Sequence, residues 1–111
     1  MQDLLMELNQ ARKDLDKSMK LLRKHGAEYA QAEHDYQVIK SQTVLVMKSN
    51  GCSVTEINLS IKGQPQVAEA MLKRDVAKVT YEANQEHINV VKLELRVLEN
   101  QIAREWGNTN G

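Results

Sequence analysis

Four lysines form the clearest pattern of residues that could carry chemistry. Lys13, Lys17, Lys20 and Lys24 lie four, three and four residues apart, and Arg23 is adjacent to the last of them. On a helix this spacing places the lysines in one stripe, which suits the phosphates of a nucleic acid or an acidic protein surface. The alternative is a solvated face without a partner. We refer to these five residues as the lysine stripe.

No other combination of residues has the spacing of a catalytic or metal site. His25, His34 and His87 are nine and fifty-three residues apart, so no two of them lie at the helical spacing of metal ligands. The glycines occur singly rather than in a phosphate-binding loop. Cys52 is either a slightly acidified thiol beside a helix start or a small apolar side chain that fills a turn. The sequence therefore predicts no enzyme activity, no metal and no cofactor.

The composition favours a small helical protein. The chain has 111 residues, with fifteen Lys plus Arg against fifteen Asp plus Glu, no Phe, one Pro and five Gly. Aromatic and turn residues are therefore too few for a β-sandwich or a barrel, and charge-driven binding must be local. A single cysteine excludes an internal disulfide. Because the sequence has no apolar run of membrane-spanning length and no signal-peptide core, we expect a cytoplasmic protein.

Residues 2–49 are predicted to form one long helix with an apolar seam. They contain no Pro and one Gly, and two rows of mainly apolar side chains repeat every seven residues, as in a coiled coil. The rows are Leu8, Leu15, Leu22, Tyr29, Tyr36 and Thr43, and Leu4, Ala11, Ser18, His25, Ala32, Ile39 and Val46. The tyrosines are therefore expected in the core rather than as base-stacking platforms. The lysine stripe lies away from this seam and must face solvent or a partner.

A turn and a short helix separate this helix from the next long one. Asn50-Gly51 is predicted to end the first helix, because both residue types adopt the left-handed conformation with little strain. Ser53 begins a segment with the form of a capping box, which predicts a short helix at 54–62. A proline at the start of the third predicted helix, 65–106, suits the first helical turn.

The third helix carries two rows on opposite faces. The inner row is Val67, Ala70, Arg74, Ala77, Tyr81, Asn84, Ile88, Val91, Leu95, Leu98 and Ile102. The outer row is Leu72, Val76, Val79, Ala83, Glu86, Val90, Leu93 and Val97. One helix cannot cover both rows, so the outer row, apart from Glu86, is the predicted interface of a homo-oligomer. The alternative is that the short helix and a curled N-terminus cover the outer row.

Together these patterns predict an all-α fold. Two long helices form an antiparallel hairpin, or coiled coil, with the short helix at its tip, and the hairpin oligomerises through its second long helix. It forms a single domain at 1–106, followed by a flexible tail at 107–111. Arg74 and Asn84, polar members of the inner row, are expected to set the register. A small core at the tip is expected from Ile39, Val44, Leu45, Val46, Met47, Val54, Ile57, Ile61, Val67 and Met71.

The turn and the short helix resemble a known group of proteins. The segment Asn50-Gly51-Cys52-Ser53-Val54-Thr55-Glu56, followed by Pro65 and a long charged helix, is similar to small helical proteins of tailed bacteriophages that have a Gly-x-Ser-Val-Thr-Glu turn between two long helices. In arrangement those proteins look like relatives of the UvsY-type recombination mediators, which are oligomeric, bind single-stranded DNA and help load a recombinase. The resemblance covers residues 40–102. The neutral overall charge departs from the mediator pattern and leaves protein–protein contact as an equal mechanism.

These observations lead to two hypotheses of function. The first is a non-enzymatic, oligomeric phage accessory protein of DNA recombination or replication, which binds single-stranded DNA weakly through the lysine stripe, or a recombinase or annealing protein, or both. The second is a protein-only adaptor or inhibitor, for example of a host nuclease or defence system, or a structural coiled-coil assembly factor. We expect a cytoplasmic homo-oligomer without a membrane partner, located in the host-cell cytoplasm if the protein is phage-encoded.

Overall fold

The part of the chain that the structure describes is helical almost throughout. The computed structural model describes residues 1–110, with side chains through residue 107. Helix α1 spans Gln2–Ser49, α2 spans Val54–Ser60, a 3-10 turn follows at Ile61–Gly63, and α3 spans Pro65–Asn110. The all-α class and the order of long, short and long helix are therefore confirmed. No strand occurs among the described residues.

Two helix ends differ from the sequence prediction. The short helix, predicted for 54–62, is α-helical only to Ser60 and then tightens into the 3-10 turn, as helix ends often do. Helix α3 was predicted to end at 106 but continues to Asn110. Residues 107–110 of the predicted tail are thus helical, whereas residue 111 lies outside the described residues. A single glycine there lowers helix propensity by only about 1 kcal/mol, and no proline follows it to break the helix.

The turn after α1 has the backbone conformation that Asn50-Gly51 predicts. Gly51 has a φ of +86°, in the left-handed region that a side chain with a Cβ adopts only at a cost. The Gly51 N–H donates to the Lys48 carbonyl at 3.0 Å, and the Cys52 N–H donates to the Met47 carbonyl at 3.1 Å. This pair of bonds is the Schellman motif, which satisfies two carbonyls at the helix end.

The two later helices also begin at the predicted residues. Ser53 is the N-cap of α2, and its Oγ accepts a hydrogen bond from the Glu56 N–H at 3.2 Å. Pro65 is the first residue of α3, a position where its missing N–H leaves no helical hydrogen bond unmade. Local sequence signals therefore determine where α1 ends and where α2 and α3 begin.

The structure divides into two compact units, which we describe separately. Unit 1 contains Met1–Lys24 of α1 and the part of α3 from Glu82 onward, and unit 2 contains His25–Tyr81. Unit 1 is thus built from two helical segments, whereas unit 2 also contains α2 and the 3-10 turn.

In unit 1, segments of α1 and α3 pack against each other in opposite directions. Arg12 lies 3.9 Å from Glu99 in an ion pair, and the Asn84 side-chain amide donates to the Ser18 carbonyl at 2.9 Å. Its buried apolar side chains are Leu8, Ala11, Ile88 and Val91. All four occupy seam or inner-row positions, so the heptad pattern correctly predicts which faces pack together.

Unit 2 has a larger core, to which α1, α2, the 3-10 turn and α3 all contribute. The buried cluster is Tyr36, Ile57, Ile61, Val67 and Ala70, with Ile39, Val44, Met47, Cys52 and Met71 packed against it. Three residues predicted for this core, Leu45, Val46 and Val54, are instead 58–67% exposed. Four consecutive residues cannot share one helix face, and α1 turns Val44 and Met47 inward. Ile57 of α2 and Ile61 of the following 3-10 turn are the buried residues here, and Val54 lies at the start of α2.

Arg74 connects α3 to α1 in unit 2. Its guanidinium lies 4.4 Å from the centre of the Tyr36 ring, and its Nη1 donates to the Glu33 carboxylate at 3.5 Å. The hydrogen bond to Asp75, at 2.9 Å, raises the pKa of Arg74 further above its ordinary value. Arg74 therefore remains a cation on the seam, with partners on both helices, as a residue that sets register would require.

Candidate interaction surfaces

The outer row of α3 lies at the surface. Its six large apolar side chains are between 42% and 65% exposed: Leu72, Val76, Val79, Val90, Leu93 and Val97. Ala83 and Glu86 are exposed as well, whereas every inner-row residue is buried or half-buried. The two faces of α3 therefore separate as the heptad pattern predicts. The alternative in which the short helix and the N-terminus cover the outer row is wrong for the described residues.

Charged residues flank the outer row, and sequence reasoning missed their arrangement. Lys73 and Asp75 lie beside the row in unit 2, and Glu94 and Arg96 lie beside it in unit 1; all four are exposed. In heptad terms they occupy the e and g positions that border a coiled-coil interface. This assignment could have been made from the sequence by extending the heptad register of the outer row to its neighbours. We call these four residues the flanking charges.

All five residues of the lysine stripe are exposed and belong to unit 1. Within residues 12–24, six cationic side chains stand against two acidic ones, a net charge of +4 in a chain whose total is zero. Lys20 Nζ lies 3.2 Å from Asp16 Oδ2, and both side chains are more than 70% exposed, so this pair contributes little to stability. The stripe is thus a local surplus of positive charge.

A groove in unit 1 brings part of the lysine stripe together with the outer row. Its volume is about 790 Å³, and its lining includes Lys13 and Lys17 from α1 and Val90, Leu93 and Val97 from α3. Lys20, Arg23 and Lys24 do not line it. The sequence placed the lysines away from the α1 seam but gave no sign that two of them would share a groove with α3.

The charge in this groove is mixed. Glu7, Asp14 and Glu94 also line it, so three carboxylates face two ammonium groups, a net charge of −1. Asp14 is in addition 3.2 Å from the His87 Nε2. An apolar wall with charges of both signs suits a protein surface better than a continuous strand of phosphates.

A second exposed apolar patch lies in unit 2. Leu45 and Val46 near the end of α1, and Val54 and Leu59 of α2, are 58–84% exposed. Leu59 is the most exposed of these residues, because Ile57 of α2 and Ile61 of the 3-10 turn take the inward side of this segment. The spacing of the two isoleucines, four residues apart, is the signal that could have placed Leu59 outside the core.

The remaining candidates for chemistry do not come together. His25 contacts Glu28 at 3.3 Å and His87 contacts Asp14 at 3.2 Å. Within the part of the chain that the structure describes, no group of three or more His, Cys, Asp or Glu residues could hold a metal ion. Cys52 is half-buried and packs against the unit 2 core, which agrees with the interpretation of a small side chain that fills the turn.

Comparison with known proteins adds no relative. The chain matches no protein-family model, no curated protein and no solved structure. None of the described helices is both long and apolar enough to cross a membrane. The fold and the surfaces therefore define the protein only as an all-helical chain that exposes an apolar row and a cationic stripe.

Proposed function

We propose that this protein is a non-catalytic accessory protein of phage DNA recombination or replication. In this proposal it self-associates through the outer row of α3 and presents the lysine stripe to the phosphates of single-stranded DNA, while it also contacts a recombinase or annealing protein in the host cytoplasm. The observation that carries the proposal is the exposed surplus of positive charge in residues 12–24 of a neutral chain. The resemblance to UvsY-type mediators supplies the biological context.

Self-association would strengthen weak contacts with a nucleic acid. The four lysines of one chain extend over about 16 Å of helix, at about 1.5 Å per residue, so a single chain engages few phosphates. When several stripes are held in one assembly, the later contacts become intramolecular, and the overall affinity exceeds that of one stripe. The apolar outer row and the lysine stripe would therefore act together.

The dependence of DNA affinity on salt tests this proposal. Binding of a fluorescent single-stranded oligonucleotide, measured by anisotropy, is expected to weaken with salt at a slope of about 0.7 per contacted phosphate on logarithmic axes. Changing Lys13, Lys17, Lys20 and Lys24 to Gln should flatten this slope. A matched control changes four other exposed lysines to Gln: Lys48, Lys62, Lys78 and Lys92. Equal effects of the two variants, or no binding at low salt, would reject the proposal.

The second candidate is a protein-only adaptor, inhibitor or assembly factor. It is favoured by the groove of unit 1, in which Lys13 and Lys17 are accompanied by carboxylates and by an apolar wall. In this case the outer row binds protein, and the lysines serve solubility or complement an acidic protein surface. Self-association that survives when DNA binding is absent would favour this candidate over the first.

A further inference from the structure

The outer row has reciprocal spacing in the two units. In unit 2, Leu72, Val76 and Val79 are four and then three residues apart, whereas in unit 1 Val90, Leu93 and Val97 are three and then four apart. Read in the opposite direction, the unit 1 spacing becomes identical to that of unit 2. When two copies of α3 lie antiparallel, the unit 2 part of the outer row on one copy therefore pairs, layer by layer, with the unit 1 part on the other copy. The layers are Leu72 on Val97, Val76 on Leu93, and Val79 on Val90.

The flanking charges fit the same alignment. In an antiparallel pair of helices, e positions face e positions and g positions face g positions. Lys73 and Glu94 are e positions and therefore face each other, and so do the g positions Asp75 and Arg96. Both pairs join opposite charges across the interface. Lys73 now lies 3.6 Å from Glu69 in an exposed pair, which is weak enough to be exchanged. Asp75 uses only Oδ1 to accept from Arg74, and its Oδ2 is available for Arg96 of a second chain. Among the described residues, neither Glu94 nor Arg96 has an ion pair.

A parallel pairing of two α3 helices does not give these contacts. In register, each g position faces the following e position of its partner. The facing pairs would be Asp75 with Thr80, Glu82 with His87, Asn89 with Glu94, and Arg96 with Gln101. None of them joins a lysine or arginine to a carboxylate. The charge pattern therefore distinguishes the antiparallel arrangement from the parallel one.

Glu86 restricts the antiparallel alignment to one register. In the alignment described above, Glu86 faces Ala83 of the second chain, whose small side chain leaves room for the carboxylate. A shift of one heptad would place Glu86 against Val76 or Val90 and would separate Lys73 from Glu94. A carboxylate against valine is costly, so a single polar residue in an apolar row selects one register.

We propose that the partner of the outer row is a second copy of this chain, bound antiparallel. The unit 2 part of the outer row of each copy covers the unit 1 part of the outer row of the other copy. The two contacts are equivalent because the pairing is two-fold symmetric. This inference rests on the self-association in the proposed function and adds the orientation, the register and four ion pairs between the copies. It does not depend on binding of DNA.

Two charge-swap variants test the orientation and the register. The first is Lys73→Glu with Asp75→Lys, and the second is Glu94→Lys with Arg96→Glu; neither pair of changes alters the net charge. Each variant alone places like charges at all four contacts, so its dissociation constant, from analytical ultracentrifugation, should rise at least about tenfold. An equimolar mixture restores opposite charges at every contact and should associate with the affinity of the unchanged chain. Circular dichroism checks that both variants remain helical.

The outcomes separate this inference from the proposed function. Rescue by the mixture, together with weak association of each variant alone, supports the antiparallel pairing. If the unchanged chain associates but the variants associate equally well alone, or the mixture gains nothing, the antiparallel pairing is wrong while self-association stands. If the unchanged chain stays a single copy at every concentration, self-association is itself wrong, and the pairing falls with it.

Discussion

Unit 1 and unit 2 use the same two long helices but reach different degrees of burial. In unit 2, α2 and the 3-10 turn add Ile57 and Ile61 to the contact between α1 and α3, and Val67 is fully inaccessible. In unit 1 only two helical segments meet, although Val91 is fully inaccessible there too. The large apolar side chains of the outer row stay exposed in both units, at 58–65% in unit 2 and 42–57% in unit 1. The additional elements therefore enlarge the buried cluster of unit 2 without covering the outer row of α3.

This difference indicates where the protein can interact. An isolated pair of helices buries little apolar surface for its length, and small cores of this kind are only marginally stable. Unit 1, which has only two helical segments, therefore depends more on a partner for its stability, and it also carries the lysine stripe. Unit 2 has its own core and can serve as a stable platform. Four sets of substitutions test this contrast, beginning with the one that should matter most.

The largest effect is expected from charges placed in the outer row of unit 1. Val90→Glu with Val97→Glu would bury unpaired carboxylates at an interface, at a cost of more than about 3 kcal/mol in association. Light scattering should then show single chains, while circular dichroism still shows a helical protein. Gln42→Glu with Gln85→Glu adds the same charge at exposed polar positions and should leave the mass unchanged. An unchanged mass in the first variant would refute the interface.

A smaller effect is expected from a cavity in the core of unit 2. Ile57→Ala removes a side chain that is only 4% exposed and should lower the free energy of unfolding by about 3 kcal/mol. Leu59→Ala, on the same short helix, removes a side chain that is 84% exposed and should change it by less than about 0.5 kcal/mol. Urea unfolding measures both values. Equal losses would mean that α2 does not close the core.

The turn of unit 2 should respond to a single methyl group. Gly51→Ala forces a side chain into a left-handed backbone conformation, which costs about 1–2 kcal/mol. Gly63→Ala is the control, because its φ is not positive and a Cβ there meets nothing within 4 Å. Thermal unfolding should show a lower midpoint only for Gly51→Ala. If Gly63→Ala is as harmful, the left-handed turn is not the cause.

The smallest effect is expected at the polar contact of unit 1. Asn84→Ala removes the 2.9 Å hydrogen bond to the Ser18 carbonyl and should cost about 1 kcal/mol of unfolding free energy. Asn89→Ala, at an exposed position of the same helix, corrects for the change in helix propensity. If the two variants lose the same unfolding free energy, the hydrogen bond from Asn84 does not stabilise the fold.

Local signals and heptad rows were enough to predict most of the fold. Asn50-Gly51, Ser53 and Pro65 mark helix boundaries because backbone conformation at caps depends on the residues at the cap itself. The inner and outer rows of α3 were separated correctly because helical periodicity determines which side chains share a face. The end of α3 was missed because a single glycine is a weak stop signal.

The parts that were missed depend on contacts between distant residues. Val54 was predicted to lie in the core, but it is exposed. The prediction was wrong because periodicity alone does not show how far a seven-residue helix overlaps the helices beside it. The groove that joins Lys13 and Lys17 to Val90 requires the relative placement of two helices within unit 1.

The central claim is that the outer row of α3 is covered by another copy of this chain. Light scattering on the purified protein, over a hundredfold range of concentration, gives the mass of the species in solution. The expected result is a mass of at least twice the 12.6 kDa of one chain, falling toward the single-chain value on dilution. A mass of 12.6 kDa at every concentration would contradict the claim.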